Sequence, residues 1–164
     1  MLDVSLPVET REEIASTLPE EVLYTSTNPD KFWIRGLVLD KTHVTLLYGL
    51  LQKAYTLKPQ ILEVLAGWET PSIEVEEVSF FDAPDKEEYY TIIAKIKKTP
   101  LLLEGHNRLQ FLPHINTFPI YSPHITLAYI KKDELVRDRV ISQLSEILDT
   151  TVFEIQRINL GRQD

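Results

Sequence analysis

The chain has 164 residues, 43% of them apolar, enough to build one compact domain with a real core. Seventeen Lys and Arg against 25 Asp and Glu leave a net charge of −8, which disfavours adhesion to long polyanions, because such binding is driven by counterion release from many phosphates. There is no cysteine, which excludes disulfides, thiolate metal sites and thiol nucleophiles.

The opening stretch MLDVSLPVETREE has no basic region followed by a long apolar one, and nowhere do 18 apolar residues run uninterrupted, so the expectation is a soluble, cytoplasmic protein with no membrane partner. Its ten prolines and five glycines are scattered without a linker, which predicts a single domain over 1–164. In chain order, LDVSLPV (2–8) alternates as a strand, and VETREEIASTL (8–18) reads as a short helix. FWIRGLVL (32–39) and HVTLLYG (43–49) read as two strands joined by the polar turn Asp40, Lys41, Thr42. PQILEVLAGW, from Pro59, starts with proline and stops at Gly67, as a helix does.

SIEVEEVSFF and EEYYTIIAKIKK are β-branched and aromatic runs around the turn segment DAPDK, which predicts an antiparallel hairpin. PLLLEGHNRLQFL, from Pro100, reads as a helix weakened by Gly105. SPHITLAYI follows as a strand. Val136, Val140, Ile141, Leu144, Ile147 and Leu148 then fall on one face of a helical net. TVFEIQRINL closes the order as a last strand. This succession predicts an α+β fold of mostly antiparallel strands with helices packed outside.

One internal likeness carries chemistry. THVTLLYGL (42–50) and PHITLAYIK (123–131) both contain His, an aliphatic residue, Thr and Leu, followed two residues later by Tyr. His43 aligns with His124, Thr45 with Thr126, and the copies stand half the chain apart. On a strand, alternate side chains share a face, so each copy presents an imidazole and a hydroxyl on one side. Strand parity points Tyr48 and Tyr129 the other way. Two such strands side by side make a four-group cleft. Phosphoester cleavage needs one group to take a proton, another to give one, and donors to hold the phosphate. Imidazole, with an ordinary pKa of about 6.5, serves either proton transfer.

The twin motifs HVTL and HITL, in this order and spacing, resemble those of the 2H phosphoesterase superfamily, which includes RNA ligase-like and cyclic phosphodiesterases. The resemblance implies a bilobal fold of two pseudo-symmetric lobes with a central cleft. By it, His43 and His124 are the acid–base pair, Thr45 and Thr126 hold the phosphate, and no cofactor or metal is needed. It implies a metal-independent phosphodiesterase acting on small cyclic nucleotides or cyclic oligonucleotide signals, and the wording HVTLLYGL is similar to that of phage anti-CBASS nucleases, which would place the protein in a host cytoplasm. The alternatives are a 2′,3′-cyclic phosphodiesterase, an RNA-end processing enzyme, or a protein that sequesters the nucleotide uncleaved. A zinc site is the other use for two histidines, but no HExxH or His/Asp cluster at ligand spacing accompanies them.

Aromatic and basic residues near the motifs are candidates for substrate contact: Trp33 and Tyr121 for stacking on a base, with Tyr129 beside them, and Arg35, Lys41 and Lys131 for phosphate. Arg157 and Arg162 are further basic candidates. Trp33 has core packing as its competing role. His106 is expected to be solvated or capping, His114 a look-alike at the rim, and Glu74, Glu76 and Glu77 an exposed sheet edge.

Overall fold

A computed structural model describes residues 1–84, 87–116 and 118–160. Among these residues seven strands form two antiparallel sheets. The smaller orders β2 (His43–Val44), β1 (Leu2–Val4) and β7 (Ile155–Ile158) as β2-β1-β7. The larger orders β5 (His124–Lys131), β4 (Tyr89–Ile96), β3 (Ile73–Asp82) and β6 (Val152–Phe153) as β5-β4-β3-β6.

Both motif strands are therefore edge strands, one per sheet, and their Cα atoms approach within 8 Å. The hairpin β3–β4 forms as expected, although Asp85 and Lys86 of its turn lie outside the described residues. Of the glutamate cluster only Glu74 is off the edge, where β6 pairs with Ile73 and Glu74. Glu76 and Glu77 lie beyond β6 and are exposed, and Glu74 and Glu77 reach Lys97 and Lys95 at 3.6 and 3.3 Å.

Helices cover the outer faces. α4 (Glu134–Leu148) starts where the Asp133 carboxylate accepts from the Leu135 and Val136 amides at 3.0 and 3.1 Å, satisfying two of the first turn's orphan donors. Its buried Val140, Leu144 and Leu148 pack on the larger sheet, where the Arg137 guanidinium lies 4.2 Å from the Phe80 ring. α1 (Val8–Ser16) packs on α4. α2 (Lys58–Val64) and α3 (Pro100–Leu109) pack together behind the smaller sheet, enclosing Leu46, Ile61, Leu65 and Leu109. α3 is capped by Thr99 and entered through Pro100.

Gly105 does not weaken α3 without return. A Cβ there would stand 2.4 Å from the Trp68 ring, whose Nε1 donates to the Leu101 carbonyl at 2.9 Å. Glycine lets the indole lie against the helix backbone. Gly67 ends the turn after α2 at φ +75°, a left-handed position that glycine adopts without steric cost.

Three expected strands are altered. Phe32–Leu39 makes only isolated bridges, Arg35 to Thr25 and Leu37 to Ala128, before a 3₁₀ turn at Leu39–Lys41. Gly36, at φ +65°, turns this segment so that its amide donates to Tyr24 and its carbonyl accepts from Tyr129. The segment therefore covers the outer edge of β5, which would otherwise expose unpaired donors and acceptors. HVTLLYG keeps only His43–Val44 as strand. TVFEIQRINL breaks at Glu154, giving β6 to one sheet and β7 to the other. Among the described residues no helix is long and apolar enough to cross a membrane.

Candidate active site

The site is built from the two motif edges. Val44 and Leu46 in the first copy, and Ile125 and Leu127 in the second, are all but fully buried. Hydrophobic burial of these alternate residues turns His43, Thr45, His124 and Thr126 to the opposite, half-buried side. Nδ1 of His43 donates to the Lys41 carbonyl at 3.2 Å, and Nδ1 of His124 donates to the Ser122 carbonyl at 2.8 Å. A carbonyl accepts only, so Nδ1 carries the hydrogen in both rings and each neutral imidazole keeps its lone pair on Nε2. The two Nε2 atoms and the Thr45 and Thr126 hydroxyls have no protein partner among the described residues.

Burial, first, and the nearby His43 ring hold His124 below the ordinary histidine value, against the opposing pull of the Ser122 carbonyl. At neutral pH His124 is an uncharged base within electrostatic reach of His43. Its ring meets Phe81 edge-on, with centroids 5.0 Å apart.

Strand register sets the neighbours. Asp3 lies opposite His43 and is flanked on its other side by Arg157. Lys95 lies opposite His124 and is flanked by Glu77. Directly opposed residues share a sheet face, so each histidine has an ion pair beside it: Arg157 Nε to Asp3 at 2.8 Å, and Lys95 to Glu77 at 3.3 Å. Asp3, Lys95 and Phe81 were not singled out in the sequence. Only their strand alternation marks them, and that has no meaning until the register is known.

The remaining candidates separate. Tyr129 is turned the opposite way from its strand parity. The register slips at Leu127, where one residue of β5 is left without a partner in β4. A bulge of one residue exchanges the faces beyond it, so Ala128 and Ile130 are buried while Tyr129 joins the face of His124 and Thr126. Burial, then the neighbouring Tyr89 and Tyr48 hydroxyls, push its phenol upward, against the pull of Arg35. Arg35 thus stands near Tyr129, its guanidinium bonded to Asp40 at 2.7 Å. Tyr48 is also not buried: it is 45% exposed and meets Phe118 edge-on.

Tyr121 has one ring face covered by His106, at 3.9 Å and 5° between planes, and its hydroxyl donates to the Thr45 carbonyl at 2.8 Å. Burial raises this hydroxyl above the ordinary phenol value, so it stays a donor and holds the backbone of the first motif. His106 is accordingly neither solvated nor capping. It bonds the Leu46 carbonyl beneath that motif. His114 bonds the Leu112 carbonyl at 2.7 Å and bridges to Leu50. Trp33 is half exposed and packs edge-on against Phe32 rather than in the core, and it is Phe32 that lines the cavity beside His43 and Lys41. Lys131 is exposed at the end of β5, and Arg162 lies outside the described residues. No group of three or more His, Asp or Glu side chains converges as metal ligands among the described residues.

Two antiparallel sheets meeting at edge strands that each open a His-x-Thr motif define the 2H phosphoesterase class. The chain belongs to the 2′-5′ RNA ligase superfamily, whose family model matches residues 37–164, and is thus an enzyme of the phosphoesterase type. Its fold is similar to that of Usb1 from Kluyveromyces marxianus, with a TM-score of 0.57 at 10% identity over 88% of this chain and 82% of that one. A second structure of that Usb1, with uridine monophosphate, matches equally. Among curated proteins no sequence matches this chain.

Proposed function

We propose that the protein is a metal-independent phosphodiesterase that opens phosphodiester bonds of small nucleotides bearing a ribose 2′-hydroxyl, with cyclic oligonucleotide signals, the substrates of phage anti-CBASS nucleases, as its leading substrate class. The observation that carries this is the matched pair of imidazoles, each with Nδ1 bonded to the carbonyl two residues back and Nε2 left without a protein partner. Neutral His124 takes the proton of the attacking 2′-oxygen. That oxygen bonds to phosphorus as the bond to the 5′-oxygen breaks; His43, entering the step as the imidazolium with a proton on Nε2, protonates the departing 5′-oxygen, and the products are a 2′,3′-cyclic phosphate and a free 5′-hydroxyl. In a second step the roles exchange, with water as the nucleophile. Thr45 and Thr126 donate to the phosphate oxygens as charge redistributes.

The test is incubation with cyclic di- and trinucleotides and with 2′,3′-cyclic mononucleotides in EDTA, with products identified by mass spectrometry. Turnover that persists in EDTA supports the reading. Turnover lost in EDTA and restored by zinc refutes the metal-free mechanism, and ligand recovered unchanged from a tight complex refutes catalysis altogether.

A further inference from the structure

Beside His43 a cavity of about 850 Å³ extends across the smaller sheet, with Phe32, Lys41, Gln156 and Arg157 in its wall and, among the described residues, none of the larger sheet. That volume is in the range of small-molecule sites, and its lining includes His43 but not His124. Its carboxylates are already occupied: Asp3 accepts from Arg157, and Asp40 from Arg35. Lys41 has no ion-pair partner among the described residues, and Arg157 uses Nε on Asp3 while its Nη groups have none. Phe32 is 68% exposed, braced by the Trp33 edge at 5.6 Å.

The spacing is also suited to a nucleotide chain. Thr42, between Lys41 and His43, is extended at φ −71° and ψ 137°, so the two flanking residues lie about 6.5 Å apart along the chain. Successive phosphates of a nucleotide backbone are separated by a similar interval. Lys41 is therefore spaced to meet the phosphate next to one held at His43.

We infer that this cavity is a second nucleotide subsite: Lys41 and Arg157 hold the phosphate next to the scissile one and Phe32 stacks on the adjoining base, so the substrate is a dinucleotide or longer oligonucleotide, linear or cyclic. The inference rests on the reading that His43 and His124 serve as acid and base on a phosphodiester. Stacking on one aromatic face and a charge-assisted bond to phosphate are each worth enough to be read in affinity.

Calorimetry with deoxydinucleotides, which lack the 2′-nucleophile, tests it. The probes are the one-phosphate dinucleotide dApdA and its two-phosphate forms pdApdA and dApdAp. At least one two-phosphate form is expected to bind about tenfold or more tighter than dApdA, with the increment lost in Lys41→Ala and in Lys41→Glu, and with Phe32→Ala weakening both dinucleotides relative to deoxyadenosine 3′-monophosphate. An increment that is absent, or that survives both Lys41 variants, overturns the subsite. If the increment behaves as expected while the ribose counterparts are not cleaved, the subsite stands and the phosphodiesterase reading falls.

Discussion

At the scale of single residues, the proposed acid–base chemistry rests on the imidazole bonds. His43→Ala and His124→Ala are each expected to lower turnover by about 10²-fold or more, the usual contribution of one acid–base group, measured against wild type at matched folded concentration. Burial and His43 together lower the His124 value, so its imidazole stays deprotonated below the ordinary histidine range. The acid limb of the kcat/KM profile is therefore expected below about pH 6.5, and activity is lost as pH falls through the folded-state value. The sign for stability follows the same shift. Between the folded value and about 6.5 the unfolded chain binds a proton that the native chain declines, so stability falls as pH falls through that window. A His124→Asn variant, whose side chain does not titrate, is expected to flatten this slope in urea melts at pH 7.5 and 5.5.

Single residues also mark what the sequence could convey. HVTL and HITL were legible because the pattern repeats, and the repeat survives in three dimensions as the adjoining edges of two separate sheets. Phe81 and Lys95 were not, since their place beside His124 depends on which strand pairs with which. Tyr129 was misdirected by a one-residue bulge at Leu127, which leaves no trace in a two-residue period. His106 looked solvated because its partners, the Leu46 carbonyl and the Tyr121 ring, come from distant segments.

Among elements, legibility followed length. α4 and the β3–β4 hairpin have enough turns or pairs for their periods to be read, and both formed where expected. The smaller sheet is made of strands of two to four residues, too short for alternation to be distinguished from loop. Phe32–Leu39 carries the β-branched and aromatic look of a strand, yet its Gly36 takes a left-handed turn and the segment serves as cover for β5. Gly105 gives a test at this scale. Alanine would gain about 1 kcal/mol of helix propensity over glycine, but its Cβ would meet Trp68 at 2.4 Å, and overpacking of this kind costs about 1–3 kcal/mol. Gly105→Ala is therefore expected to lower the denaturation midpoint, and Gly105→Ala combined with Trp68→Phe to recover part of the loss. At the start of α4, Asp133→Ala removes the acceptor of two amides and is expected to cost about 1 kcal/mol in the same measurement.

For the whole molecule, the net charge of −8 limits how binding responds to salt. A ligand engaged through two phosphates releases few counterions, so the slope of log affinity against log salt is expected near −1.4, from about −0.7 per phosphate on a single strand. Titration of pdApdA between 50 and 200 mM salt reads this slope directly. A much steeper value would mean a longer polyanion lies on the surface. The break of the closing segment at Glu154 bears on assembly rather than binding. β7 pairs with β1 across 154 residues of chain, as the Arg157 to Asp3 bond spans, whereas β3 and β4 pair through a local turn. Closing so long a loop costs entropy before any contact repays it. The sheet that carries His124 can thus nucleate early, while the sheet that carries His43 is completed only after nearly the whole chain has condensed.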